Sequence, residues 1–336
     1  MTAFSQLIGQ EQAVELLSSA VKTQQIAPAY LFSGPPGVGR YLGAIAFSIL
    51  LLQGEQNLSL IRQKVETQNH PDLLTVEPTY LHQGKRYTEA EAEEAGLKRK
   101  ASPQIRVEQI REITQFLSRP PLEAPRAVVI IQAAHTMAEA AANALLKTLE
   151  EPGRATIILI APSPDALLPT LVSRCQRIPF SRLATAELKQ VLAQTEHSDI
   201  IEQETLCAIA QGSPGEAIIA NQHLKSISSD LLEQLQNLIK FKEQSFLDNV
   251  TLSLNLAKEI TSNLEFSTQL WLIDYLQQLY WKQALFHQVA IDIKIKLENL
   301  EKARKLLNNY VQPRLVWEVT LLEITKTAFT SFSEKQ

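Results

Sequence analysis

Apolar residues at Ala13, Leu16, Leu17, Ala20 and Val21 recur at the spacing of one helix face, which predicts an amphipathic helix over residues 11–25. The period then changes. Ala29-Tyr30-Leu31-Phe32 is an unbroken apolar run that stops at Ser33-Gly34-Pro35-Pro36, the pattern of a buried strand entering a glycine loop. A helix is predicted to follow from Leu42 to Leu52. Further buried strands are expected at residues 72–76, at Ala127-Val128-Val129-Ile130-Ile131 and at Thr156–Ile160, with a last short one at Arg177-Ile178-Pro179-Phe180. Between them, helical spacing marks Ile105–Leu117 and Ala138–Glu150, the second ended by Pro152-Gly153. Continuous β-branched runs fit strands covered on both faces. Their alternation with helices predicts a three-layer α/β domain around a parallel sheet over residues 1–182.

Two stretches break that rhythm. From Tyr80 to Ser102 the chain is charged and nearly free of large apolar residues, with Glu89, Glu91, Glu93 and Glu94 followed by Lys98, Arg99 and Lys100. That reads as a solvated excursion or mobile loop, with room for a helix in its Ala/Glu-rich middle. After about Phe180 the strands stop. Residues 183–222 read as a small domain of short helices around Gln211-Gly212-Ser213-Pro214-Gly215, and residues 223–336 as a helical domain. Its stripes include Leu231, Leu232, Leu235 and Leu238, and Leu270, Leu272, Ile273, Leu276 and Leu279. Such stripes are read as core, and Trp271, Trp281 and Trp317 are given no functional weight.

Composition narrows the class. A length of 336 residues suits about two or three domains, and 45% hydrophobic residues suffice for buried cores. The net charge of −4 argues against a chain that grips DNA by itself. Two cysteines, Cys175 and Cys207, make neither a disulfide framework nor a metal cluster. No apolar run approaches the roughly 18 residues of a membrane span, and the start lacks the basic and apolar regions of a signal peptide, so the cytoplasm is expected and a membrane partner is not.

Residues 34–41, Gly-Pro-Pro-Gly-Val-Gly-Arg-Tyr, carry the candidate chemistry. They keep the glycine frame of the phosphate-binding pattern G-x-x-x-x-G-K-[ST] at Gly34 and Gly39, with Gly37 between, in the required strand–loop–helix context. Backbone N–H groups of such a loop, with the following helix dipole, form an anion cradle. Yet Arg40 stands where a compact lysine charge reaches the phosphates, and Tyr41 where a short hydroxyl holds magnesium. Neither swap is conservative. The strand at 127–131 runs on as Gln132-Ala133-Ala134-His135, without the acids that position magnesium and water in such ATPases. His135 reads as a surface or satisfied core residue. The loop is therefore either a structural turn or a residual ATP/ADP site; the residues leave both open, and no cofactor is expected. The third motif is Ser173-Arg174-Cys175, after the strand at 156–160. An arginine on a loop at a domain edge can enter a neighbour's phosphoryl-transfer site, but the residues alone do not separate this from an ordinary surface arginine.

Several segments together resemble the delta-prime subunits of bacterial DNA polymerase III clamp loaders, a family of AAA+ proteins. They are Ile8-Gly9-Gln10, the strand into Gly34, His70-Pro71-Asp72-Leu73-Leu74, Ile105-Arg106-Val107-Glu108-Gln109-Ile110-Arg111, the run Ala141 to Pro152, Ser173-Arg174-Cys175-Gln176 and Gly212-Ser213-Pro214-Gly215. The resemblance implies an AAA+ domain over 1–182, a helical lid over 183–222 and a collar over 223–336 that holds a heteropentamer together. It further implies gamma/tau and delta subunits as neighbours, and a sliding clamp and primed DNA met through the complex. The chain would be a non-hydrolysing member, with Arg174, flanked by Ser173 and Cys175, completing an adjacent motor subunit's ATP site in trans. Two departures from relatives sharpen this. Glu216 stands where active members carry an arginine after Ser-Pro-Gly, and the stretch Gly54 to Gln68 has no cysteine, so no zinc is expected. The competing readings are a gamma/tau-like motor ATPase and a non-replicative AAA+ scaffold.

Overall fold

The structure is a computed structural model that describes residues 3–54, 57–97, 102–151, 153–240, 246–287 and 290–333. Lys98, Arg99, Lys100 and Pro152, and the side chain of Leu238, lie outside the described residues. The chain divides between Val191 and Leu192 into two compact units.

The first unit runs α1 (Glu11–Lys22), β1 (Ala29–Ser33), α2 (Arg40–Leu52), α3 (Leu58–Glu66), β2 (Leu73–Val76), β3 (Tyr80–His82), β4 (Lys85–Tyr87), α4 (Glu89–Glu94), α5 (Val107–Leu117), β5 (Ala127–Ile131), α6 (Glu139–Glu150), β6 (Ala155–Ala161), α7 (Pro169–Val172), β7 (Gln176–Pro179) and the start of α8 (Thr185–Ala193). Among the described residues, five of the strands form one sheet in the order β2-β5-β6-β1-β7. Every pairing in it is parallel. The apolar runs explain the order: β5 and β6 are buried at every position, so they take the middle. One sheet face, with Leu31, Val129, Ile131, Ile157 and Leu159, packs with Ile110 and Ile113 of α5 and Leu145 of α6. On α2, Phe47 meets the rings of Tyr30 (4.9 Å) and Phe32 (6.4 Å). Each such side chain contributes about 1.5–3 kcal/mol by leaving water.

The sheet and its covering helices follow the predicted pattern; other elements differ. The helix at residues 11–25 ends at Lys22, because Gln24 takes a left-handed conformation (φ 55) and the chain turns. Helix α3 has no counterpart among the predicted elements. It buries only Ile61 and Val65, a stripe too thin to mark a period, and starts on a cap in which the Asn57 side chain accepts from the Ser59 N–H. The charged excursion is ordered where described. β3 and β4 form an antiparallel hairpin through Gln83 (φ 50) and Gly84 (φ 80), both left-handed as a tight two-residue turn requires. Arg86 pairs with Glu112 of α5 through both terminal guanidinium nitrogens, tying the hairpin down. The expected helix in the Ala/Glu-rich middle is α4, closed by a capping box between Thr88 and Glu91.

The second unit is helical: α9 (Glu204–Ala210), α10 (Pro214–Ser226), α11 (Ser229–Lys240), α12 (Phe246–Asn263), α13 (Phe266–His287), α14 (Ala290–Asn308) and α15 (Pro313–Ser333). It spans residues expected to form both a lid and a collar, and within it α9 and α10 pack on α13. Trp317 is fully buried and donates its Nε1 hydrogen to Gln269 at 2.9 Å, while Arg304 grips Asp274 with both terminal guanidinium nitrogens. Leu231, Leu235, Leu272, Ile273 and Leu276 are core, as their spacing predicts; Trp271 is buried and Trp281 exposed.

Candidate functional site

The glycine loop lies where its pattern places it, between β1 and α2. Its first N–H, from Gly34, donates to the Ala161 carbonyl at the end of β6, and the Phe180 N–H donates to Ser33, so the loop leaves the sheet clamped between two neighbours. Gly34 has no room for a side chain: a Cβ there would sit 2.2 Å from the Phe180 carbonyl oxygen. Gly39 caps α2 in the left-handed region at φ 100. Gln10, nearly buried, stitches this end of the sheet: its Nε2 donates to the carbonyls of Val38 and Ser181, and its Oε1 accepts from the Ser181 N–H.

The two altered residues are committed elsewhere. Arg40 does not stand free over the cradle; its Nη1 donates to the Ala161 carbonyl at 2.5 Å, against the sheet end. Burial there lowers the guanidinium's pKa from its ordinary value. The Tyr41 hydroxyl accepts from Gln68 at 3.2 Å, just past α3.

Above the loop is a cleft of about 550 Å³, lined in part by Gly37, Gly39, Arg40 and Tyr41, and by Gln132, Ala133 and His135 beyond β5. His135 is a surface residue, as read, but one that faces this cleft; burial and then the Arg40 charge hold its pKa below the usual imidazole range. The cleft also receives two carboxylates that sequence reasoning missed: Glu77, just after β2, and Glu89, the first residue of α4. The charged excursion thus reaches the cleft beside the glycine loop. Burial, then Glu91 and Glu89, raise the Glu77 carboxyl's pKa, as like charges facing one space do. No pattern in the sequence links positions 77 and 89 to the loop at 34–41; the hairpin β3–β4 brings them there.

The segment His70-Pro71-Asp72 is structural. The Asp72 carboxylate is buried and accepts the backbone N–H groups of Leu122, Glu123 and Ala124 at 2.7–2.8 Å, pinning the loop before β5. The His70 Nδ1 accepts from the Asp72 N–H at 3.1 Å, which requires a neutral ring. Burial, outweighing the opposite pull of Asp72 and Glu123, lowers its pKa from 6.5, and burial does the same to His223 beside Trp271. Both folded values lie below the unfolded one. Their contribution to stability is therefore whole above about pH 6.5 and is lost as the pH falls through the folded values. We expect the thermal midpoint to drop between pH 7 and pH 5 and the slope to lessen in His70→Asn, whose amide oxygen can accept the same hydrogen bond. Thermal melts across that range check it.

The three residues of the Ser-Arg-Cys motif have three different placements. The Ser173 hydroxyl donates to the Thr170 carbonyl at the end of α7. Cys175 packs against the core cluster beside the buried Leu171 and Val172, and burial pushes its thiol up to about 12. That leaves it protonated and unreactive near neutral pH. Arg174 between them is exposed, with Nη2 2.7 Å from Glu150 Oε1 and Nη1 donating to Thr170 O at 3.1 Å. A half-buried anchor, packed against the core, thus roots an outward guanidinium. Glu216 belongs to the other unit. It sits in the first turn of α10, where its N–H donates to the capping Ser213 hydroxyl and a carboxylate suits the helix dipole.

Two family models together match nearly the whole chain: "DNA polymerase III, delta subunit" over residues 9–184, and "Cyanobacterial DNA polymerase III delta prime, C-terminal domain" over residues 186–324. Among curated proteins, the chain is 31% identical over 195 residues to DNA polymerase III subunit delta′ of Bacillus subtilis, covering 56% of this chain and 53% of that one. It is 30% identical over 226 residues to the delta′ subunit of Pseudomonas aeruginosa, covering 64% and 62%. The matched region thus spans between half and two thirds of those relatives. It is also 26% identical to the tau subunit of Bacillus subtilis over 242 residues, covering 68% of this chain and 39% of that one. Among solved structures, a DNA polymerase III gamma-subunit-related protein of Thermotoga maritima shares the fold. Its TM-score is 0.52 at 17% identity, over 93% of this chain and 99% of that one.

Proposed function

Because this chain belongs to the clamp-loader delta-prime family of DNA replication, we propose that it serves the loader as a subunit that turns over no ATP itself and completes a neighbour's ATP site with Arg174. Its partners on this reading are gamma/tau and delta subunits in a heteropentamer, with the sliding clamp and primed DNA met through the complex. The observation that carries it is the opposite fate of two arginines in one domain. Arg40, inside the nucleotide loop, is turned onto the sheet end at Ala161. Arg174, outside that loop, is exposed on a turn rooted in the core.

The cleft supports the non-hydrolysing half. A nucleoside triphosphate brings about four negative charges, normally offset by lysine, magnesium and an N–H cradle. Here the lysine's place is taken by a guanidinium engaged with a carbonyl, the magnesium hydroxyl by a tyrosine engaged with Gln68, and the surroundings include Glu77 and Glu89. Gln132 and Ala133 stand where magnesium's acidic partners would be.

The purified chain is expected to show no ATP turnover above the buffer rate and no saturable binding of magnesium ATP at micromolar concentrations. Added to the remaining loader subunits, it should restore clamp- and DNA-stimulated turnover. Hydrolysis by the chain alone would favour the motor reading, and failure to join the other loader subunits would favour a scaffold in another assembly.

A further inference from the structure

Arg174 is held by its own subunit. Its guanidinium is shared between the Glu150 carboxylate at 2.7 Å and the Thr170 carbonyl at 3.1 Å. Glu150 is the last residue of α6, where a carboxylate faces the negative end of the helix dipole. The helix gains nothing from an acid there; the contact it makes is with Arg174. Both side chains stay partly in water, 38% and 53% exposed, so the pair is reachable from outside.

We infer that Glu150 parks the Arg174 finger against its own subunit, and that a neighbour's phosphoryl group must displace the Glu150 carboxylate before the finger acts. This rests on the reading of Arg174 as a trans-acting group. Magnitudes fit such a brake. An exposed ion pair of this kind is worth a factor of about 1.4–5 in an equilibrium, whereas a finger is worth about 10³–10⁵ in rate. The pair lowers the fraction of competent fingers in an unassembled or misaligned site, and an aligned phosphate overcomes it. Glu150 is on this account a positioning residue: it touches the finger and not the nucleotide. No bond is made or broken in the step; one anion replaces another on the guanidinium.

The test is ATP hydrolysis by the reconstituted loader, without clamp or DNA, carrying Glu150→Gln in this subunit. Glutamine keeps the size of the side chain and removes the charge. The basal kcat should rise about 1.4- to 5-fold with KM for ATP unchanged, because the nucleotide sits on the neighbour. The rise should vanish when Arg174→Ala is added, the non-additivity expected of two groups acting through one contact. An unchanged or lower basal rate in Glu150→Gln overturns the parking role, and so does a rise that survives Arg174→Ala. If Arg174→Ala alone leaves the wild-type loader untouched, the finger reading itself has failed, and the two failures are thereby told apart.

Discussion

Replacing Arg174 by alanine is expected to slow hydrolysis about 10³–10⁵-fold at the ATP site it is proposed to complete, a loss of roughly 4–7 kcal/mol of transition-state stabilisation. The effect should fall on the chemical step. A finger meets charge that develops on the transferring phosphoryl group, so nucleotide affinity at that site should change little. The fold should not change either. The anchor of the turn is Cys175 with Leu171 and Val172, none of which is touched, and the exposed Glu150 contact contributes at most about 1 kcal/mol. Arg174→Lys should recover little, because an ammonium on a flexible stem does not reproduce the planar fork of a guanidinium. Single-turnover hydrolysis by loader assembled with each variant, set against equal thermal midpoints for the isolated chains, checks all three statements. If the finger serves a single site, the slow phase should have the amplitude of that site alone.

Gly34→Ala is expected to destabilise the first unit by about 3 kcal/mol or more, although no phosphate is involved. The methyl group would lie 2.2 Å from the Phe180 carbonyl oxygen and 2.9 Å from its carbonyl carbon. These are backbone atoms, and Phe180 cannot retreat without breaking its hydrogen bond to Ser33 at 2.8 Å and loosening the contact of its ring with Phe32 at 5.3 Å. The Gly34 N–H is itself bonded to Ala161, so the glycine cannot move the other way freely. For a unit of this size the midpoint should fall by about 6–12 °C. Gly39→Ala should cost less, about 1–2 kcal/mol, because its penalty is the left-handed backbone alone. Its nearest obstacle is the flexible tip of Leu7, at 3.3 Å. Calorimetric melts of the two variants rank them. If Gly34→Ala melted like the wild type, packing would not explain the surviving glycine.

The same contacts show how far the sequence carries. Parallel strands were legible because β5 is apolar throughout and β6 is apolar but for Thr156, and α6 because a long Ala/Leu stripe ends at a breaker. The hairpin of residues 80–87 was hidden, since Leu81, His82, Lys85 and Arg86 are exposed and leave no burial pattern to read. Its one local signal was Gln83-Gly84, a pair suited to a two-residue turn. The losses at Arg40 and Tyr41 could be named from residue type, but what those side chains do instead could not. Arg40 reaches Ala161 across 121 positions, and Tyr41 meets Gln68 only because α3 folds back over α2. Glu77 and Glu89 entered the cleft by the same kind of long-range placement. Ser-Arg-Cys was legible as a motif, yet its division into cap, outward charge and half-buried anchor follows from the packing of α7. The Glu150 contact, 24 positions away, belongs to tertiary structure as well.

The central claim is that this subunit supplies an arginine and not an ATPase. It is tested most directly by titrating the wild-type chain and its Arg174→Ala variant into a loader that lacks this subunit, with ATP hydrolysis measured in the presence of clamp and primed DNA. The account predicts no hydrolysis by either chain alone, equal assembly of both, and recovery of the dependent hydrolysis phase by the wild type only. Equal recovery by Arg174→Ala, or turnover by the isolated wild-type chain, would contradict it.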